Sequence, residues 1–109
     1  LCNHSKIIAS KNYHTALNMP VTESIQRLLQ QGKMKLFSEK ERIYPTMTGK
    51  YPISAFFPIS KKNELGETLG LLLCTKNHQP FSEMDLCCAN MTAAAISRYI
   101  QQNYERTVI

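Results

Sequence analysis

Apolar and polar residues alternate from residue 53 to residue 60, the two-residue period of a β-strand with one strongly apolar face. The apolar face would carry Ile53, Ala55, Phe57 and Ile59, with Ser54 and Phe56 on the opposite face. Because proline has no N–H to donate to a ladder, Pro58 predicts that this strand lies at a sheet edge or carries a bulge there.

A second strand is predicted within residues 68–76, which contain an unbroken apolar run from Leu69 to Cys74. Such a run is typical of a central strand that is covered on both faces. The polar residues 60–67 include Gly66, which can adopt a positive φ, and they predict a hairpin between the two strands. Gly70 has no side chain, so another group can approach this strand closely there.

A long helix is predicted from Ser82 to about Tyr104, after a turn at residues 77–80, and it contains no Gly or Pro. Ser82 is the expected N-cap, Asp85 occupies the capping-box position, and Glu83 lies beside the positive end of the helix dipole.

The apolar residues of this helix fall on two stripes, whose centres lie roughly 140° apart at 100° per residue. The first stripe can cover the sheet, whereas the second stripe needs another partner, either a further helix of the same domain or a dimer partner. The first stripe is Leu86, Ala89, Ala93, Ile96, Ile100 and Tyr104; the second stripe is Met84, Cys88, Met91, Ala95 and Tyr99.

The upstream residues add a tight hairpin at residues 1–10 and a helix at residues 22–31, with Thr22 as its cap and Gly32 as its stop. This helix is expected to lie on the sheet, and residues 33–51 fit a short strand and a long loop. The pattern predicts one α+β domain over residues 1–109, with helices packed on an antiparallel sheet and a long C-terminal helix.

Composition excludes several classes of function. The formal charge is +5, but the 13 Lys and Arg residues are scattered, so we expect a solvated basic surface and contact with DNA only through another domain. The sequence contains no run of about 18 apolar residues, so no membrane span is predicted. The cysteines lack CxxC spacing and the histidines lack ligand spacing, which favours structural thiols in a reducing cytoplasm, without metal or other cofactor.

Several of these segments together resemble a GAF domain. They are the opening hairpin LCNHSKIIAS, the residues Ala55-Phe56-Phe57-Pro58-Ile59, Gly66-Glu67 and Gly70-Leu71-Leu72-Leu73, and the helix residues Phe81-Ser82-Glu83-Met84-Asp85 and Met91 to Ile96. The resemblance is narrower to the C-terminal GAF-like domain of the SpoVT family of sporulation regulators. It covers residues 1–102 except 33–51, and the GAF domain of the CodY family shares the Pro-Ile and Gly-x-Leu part.

This resemblance implies a regulatory domain of a bacterial transcription regulator, which binds a small effector, forms homo-oligomers, or does both. SpoVT-like proteins carry a separate DNA-binding domain ahead of the GAF domain and oligomerise through terminal helices. We therefore expect the chain to be N-terminally truncated from a longer regulator, with the second stripe as its interface. The signature of cyclic-nucleotide GAF domains and a clear bilin-attachment cysteine are both absent from the sequence.

A pocket is expected between the sheet and the loop of residues 33–51. Arg42 can clamp a carboxylate or phosphate, because its planar fork donates two parallel hydrogen bonds, and Tyr44 can stack on or hydrogen-bond the ligand. In CodY-like domains the strand that matches residues 54–59 lines the pocket, so the resemblance implies that Ser54 and Phe56 line the pocket here. Each residue also has a purely structural interpretation: Arg42 and Ser54 as solvated surface residues, Tyr44 and Phe56 as core aromatics.

Three classes of function remain open: a ligand-sensing module, a pure dimerisation module without ligand, and a thiol-dependent enzyme such as the GAF-fold free methionine sulfoxide reductases. The enzyme would need an exposed, activated thiolate with a resolving partner. Cys74 is expected to be buried, and Cys87 and Cys88 diverge as neighbours on a helix. We expect no enzyme and assign no catalytic residue.

Overall fold

Two helices and three strands follow in the order α1 Glu23–Gln31, β1 Lys35–Leu36, β2 Ile53–Pro58, β3 Gly70–Cys74 and α2 Glu83–Val108. This computed structural model describes residues 1–11, 16–38, 40–60, 62, 66–74 and 81–108, with the backbone alone from residue 103 onward. The predicted turn at residues 77–80, much of the hairpin loop and the side chain of Tyr104 lie outside the described residues. The predicted α+β class and the long C-terminal helix are confirmed.

The described sheet is antiparallel and has the order β1-β2-β3. The predicted edge position of β2 is therefore wrong, because β2 is the central strand, and its register shift lies at Ile53/Ala55 rather than at Pro58. The predicted central position of β3 is wrong as well, because β3 lies at the edge of this sheet. Pro58 is tolerated since it is the last residue of β2, and β1 pairs only with Ala55 and Phe56. The missing N–H of Pro58 thus costs no hydrogen bond to β1.

β2 carries one extra residue near its start. Ile53 pairs with Cys74 and Ala55 with Leu73, so two steps along β2 correspond to one step along β3. An extra residue of this kind reverses the side-chain alternation. Ile53 consequently shares a core cluster with Phe56, and the predicted common face of Ile53 and Phe57 is wrong.

The two faces of the sheet each have a buried core. The first core joins α1 and the N-terminal segment to one face of β2, and the second core joins α2 to the other face. This arrangement makes three layers, with helices on both sides of the sheet. The first core contains Cys2, Ile7, Ala16, Val21, Ile25, Leu28, Leu29, Ile53 and Phe56; the second contains Ala55, Phe57, Ile59, Leu69, Ala89 and Ala93.

Gly70 permits the closest packing in the first core. A Cβ at this position would lie 2.5 Å from Cε2 of Phe56 and 2.9 Å from Cδ2 of Leu29. The Phe56 ring and the α1 side chain occupy the space that a side chain would fill. The predicted close approach at Gly70 is confirmed.

The N-terminus of α2 has the predicted capping box. The Asp85 N–H donates to Ser82 Oγ at 3.1 Å, and the Ser82 N–H donates to Asp85 Oδ2 at 3.0 Å. Further along, the Ser60 N–H donates to Ser97 Oγ at 3.1 Å, which ties α2 to the end of β2. The described part of the first stripe packs on the sheet as predicted.

α1 ends as predicted at Gly32, which has a positive φ of 65°. Thr22 is the N-cap residue of α1, as predicted, but its side chain forms no cap hydrogen bond. Thr22 Oγ1 instead donates to the Tyr44 carbonyl at 2.7 Å. This bond holds the long loop between β1 and β2 against α1.

Candidate functional site

A cavity of about 540 Å³ lies between the edge of β3, the N-terminal segment and the first turns of α2. We call it the sheet–helix cavity. Its walls are mostly apolar, and a few polar groups lie among them. The lining residues are Leu1, Ile7, Ala9, Ser10, Lys11, Ala16, Pro45, Tyr51, Leu71, Leu72, Leu73, Cys74, Phe81, Asp85, Cys88, Ala89 and Thr92.

The cavity follows the outer edge of β3. Gly70 exchanges two backbone hydrogen bonds with Cys2 on that edge, at 2.9 and 3.0 Å. Because successive residues of a strand direct their N–H and C=O groups to alternate edges, Leu72 also directs both groups to the outer edge. All four residues 71–74 line the cavity, so the edge offers a backbone donor and acceptor between apolar side chains.

α2 contributes one flank to the cavity. Asp85, Cys88, Ala89 and Thr92 follow the i, i+3, i+4, i+7 spacing of a single helix face. This face lies between the first stripe, which is buried on the sheet, and the second stripe. The same helix therefore covers the sheet, lines the cavity and presents an outer apolar surface.

Among the described lining residues, the charged side chains are Lys11 and Asp85. Asp85 Oδ2 already accepts hydrogen bonds from the Ser82 N–H and from Ser82 Oγ, at 3.0 and 2.9 Å. Lys11 is exposed, and no ion pair to it is formed within the described part of the chain. Lys11 is thus the cation that a ligand can reach.

All four cysteines are unpaired. Burial raises the pKa of the Cys2 thiol and of the Cys74 thiol to about 11, because the surrounding apolar atoms disfavour the thiolate. Both thiols are therefore protonated near neutral pH. The prediction that Cys74 is buried is only partly right, because its side chain lines the cavity and is half-buried.

Iodoacetamide is expected to modify Cys87 and Cys88 first, because both are exposed, and to modify Cys2 and Cys74 at least about tenfold more slowly at pH 8. Peptide mass spectrometry after timed quenching measures the four rates. Equal labelling rates for Cys74 and Cys88 would contradict the half-buried position of Cys74.

The raised folded-state pKa of Cys2 and Cys74 also makes the free energy of unfolding depend on pH. Its contribution to stability is fully present below the unfolded-state pKa near 9 and is lost as the pH rises through the folded-state pKa of about 11.

The four ligand-binding residues predicted from sequence lie outside the cavity lining. Arg42 is exposed, Tyr44 and Ser54 are half-buried, and Phe56 is fully buried in the first core. From the described part of the loop of residues 33–51, only Pro45 and Tyr51 line the cavity. The roles of Arg42, Tyr44, Ser54 and Phe56 in ligand binding stay predictions.

The second stripe lies on the surface of the chain. Met84 is 76% exposed, Met91 64% and Tyr99 65%, and Cys88 and Ala95 are exposed as well. Large apolar side chains that are this exposed, and that follow one helix face, are a common feature of interaction surfaces. No other helix of the described chain covers them.

Sequence reasoning did not find Lys11, Phe81 or Thr92 as cavity residues. Lys11 belongs to the N-terminal segment, whereas Phe81 and Thr92 belong to α2 and the residues just before it, and only the folded chain places them together. The continuous leucines of β3 were the one available signal, because an apolar edge strand needs a cover.

Within the described ranges, no three His, Cys, Asp or Glu side chains are grouped to hold a metal ion. The helices of the described chain are all too short or too polar to cross a bilayer. Comparison with protein-family models and with curated proteins yields no match. The described chain is therefore an α+β sandwich with a cavity at the edge of its sheet.

Proposed function

We propose that this chain is a GAF-like regulatory domain of a cytoplasmic bacterial transcription regulator and that it binds a small effector in the sheet–helix cavity. The observation that carries this proposal is the cavity itself. Its volume of about 540 Å³ falls within the range of small-molecule sites, roughly 300–1,000 Å³, and it combines apolar walls with few polar groups. The motifs shared with GAF domains support the same class.

A thermal-shift screen with amino acids and nucleotides tests the proposal. We expect one compound to raise the unfolding temperature, because a ligand that binds only the folded state at 100 times its Kd adds about 2.7 kcal/mol to the free energy of unfolding. Thr92→Trp should abolish the shift, because Thr92 is exposed and lines the cavity from α2.

Asn90→Trp is the matched control, since Asn90 is exposed on the same helix outside the cavity. It should keep the shift. A compound that stabilises both variants equally binds elsewhere, and that result would contradict the cavity as the effector site.

Self-association through the second stripe is the second candidate function, and the exposure of Met84, Met91 and Tyr99 favours it. The members of the stripe recur at spacings of four and three residues from Met84 to Ala95, which is the repeat of a helix that packs along a second helix. We propose that the domain pairs with a second copy through this surface, with DNA contacted only by another domain.

A thiol-dependent enzyme is the weakest of the three classes. Cys74 and Cys88 line the same cavity from two different elements. However, the raised pKa of Cys74 leaves it protonated, whereas an attacking thiol must be a thiolate. We therefore propose a binding role for the cavity and assign no catalytic residue.

A further inference from the structure

We propose that the effector of the sheet–helix cavity is an aliphatic monocarboxylate, with its chain against the leucines of β3 and its carboxylate paired with Lys11. This inference rests on the proposed function, because it names the class of ligand for the same cavity.

The apolar body of the ligand follows from the walls. β3 contributes three consecutive leucines, Leu71 to Leu73, and the opposite walls carry Ile7 and Ala89. None of these side chains can hydrogen-bond a polar ligand body. Burying a methylene group among them improves affinity by about fourfold, so a flexible alkyl chain gains with each added carbon.

The charge of the ligand follows from the polar groups. The Asp85 carboxylate accepts two hydrogen bonds from Ser82, at the N-terminus of α2, so its negative charge is already stabilised within the chain. Lys11 is the cationic side chain among the lining residues, and it forms no ion pair with any described residue. The Lys11 ammonium group is therefore the charge that a ligand can pair with, and a ligand that pairs with it is an anion.

A single anionic end fits better than a polar group in the middle of the ligand. Cys74 lies on the β3 wall, where burial holds its thiol neutral by raising its pKa to about 11. An ionised group beside Cys74 would meet the same penalty. The carboxylate therefore belongs at the Lys11 end, where the side chain is exposed to water.

Isothermal titration with sodium hexanoate, sodium octanoate, octan-1-ol and octylamine tests the ligand class, with each compound kept below its micellar concentration. Octanoate should bind more tightly than hexanoate by up to about fifteenfold, because it buries two more methylene groups. It should also bind more tightly than octan-1-ol and octylamine.

Lys11→Met should weaken octanoate binding by up to about fivefold and leave octan-1-ol unchanged, because only the anion pairs with the exposed ammonium group. Lys11→Arg should retain octanoate binding. Lys33→Met is the matched control, because Lys33 is exposed and does not line the cavity, and it should bind octanoate as the unmodified chain does.

Equal affinity for octanoate and octan-1-ol, tighter binding of octylamine, or undiminished octanoate binding by Lys11→Met would each overturn the carboxylate assignment. If octanoate does not bind but an amino acid or nucleotide does, and Thr92→Trp abolishes that binding, the proposed ligand class is wrong and the proposed effector site stands. If no compound of either set binds, the effector site falls as well.

Discussion

Replacing Phe56 with alanine is expected to lower the free energy of unfolding by about 3–5 kcal/mol. Phe56 is fully buried, and its ring packs against Gly70 and into the core that α1 closes. Gly70 has no side chain that could refill the space, so the cavity left by the ring cannot collapse easily. Since small domains have a total stability of roughly 5–15 kcal/mol, this single change removes a large part of it.

Urea denaturation followed by circular dichroism measures this loss. Phe37→Ala is the matched control, because Phe37 is only half-buried. It lies beside β1, where the centroid of its ring is 5.3 Å from Nζ of Lys35. It should lose less than half as much stability as Phe56→Ala. Similar losses at both positions would show that Phe56 is not at the centre of the first core.

Replacing both Met91 and Tyr99 with lysine is expected to convert a self-associating chain into a monomer and to leave the fold intact. Both side chains are exposed in the single chain, so the change costs little folding stability. In a pair of helices the same lysines would meet like charges in a desolvated seam, which opposes association. Sedimentation velocity over a range of protein concentrations measures the loss, and circular dichroism verifies the fold.

Asn90→Lys with Ala94→Lys is the control for net charge, because it adds two lysines to exposed positions of α2 outside the second stripe. This variant should associate as the unmodified chain does. If the Met91 and Tyr99 variant still associates, the second stripe is not the interface.

Local signals in the sequence predicted the helices well. Ser82 and Asp85 form the capping box, and Gly32 ends α1 with a positive φ. These features depend on residues within one helical turn, so the sequence contains all the groups involved. Thr22 occupies its predicted N-cap position, but its hydroxyl donates to the carbonyl of Tyr44, 22 residues away, rather than forming a cap hydrogen bond.

Strand order and the cavity could not be predicted in the same way. The central position of β2 depends on a two-residue pairing with β1, which leaves almost no periodic signal. The cavity depends on where the N-terminal segment leaves the edge of β3 after the Cys2–Gly70 pair. The Cys2–Gly70 pair joins residues more than 60 positions apart, and a single sequence records no pairing between them.

The side-chain alternation of β2 constrains how the gene for this chain can change. Deleting the codon for Ser54 would remove the extra residue and leave Ile53 opposite Cys74, on the α1 side of the sheet. Deleting the codon for Phe56 instead would remove its ring from the first core and turn Ala55 from the α2 side to the α1 side. The loop between β1 and β2 runs over the α1 side and can change length without reversing any strand. Insertions and deletions should therefore accumulate in that loop across descendants and be purged from residues 55–58.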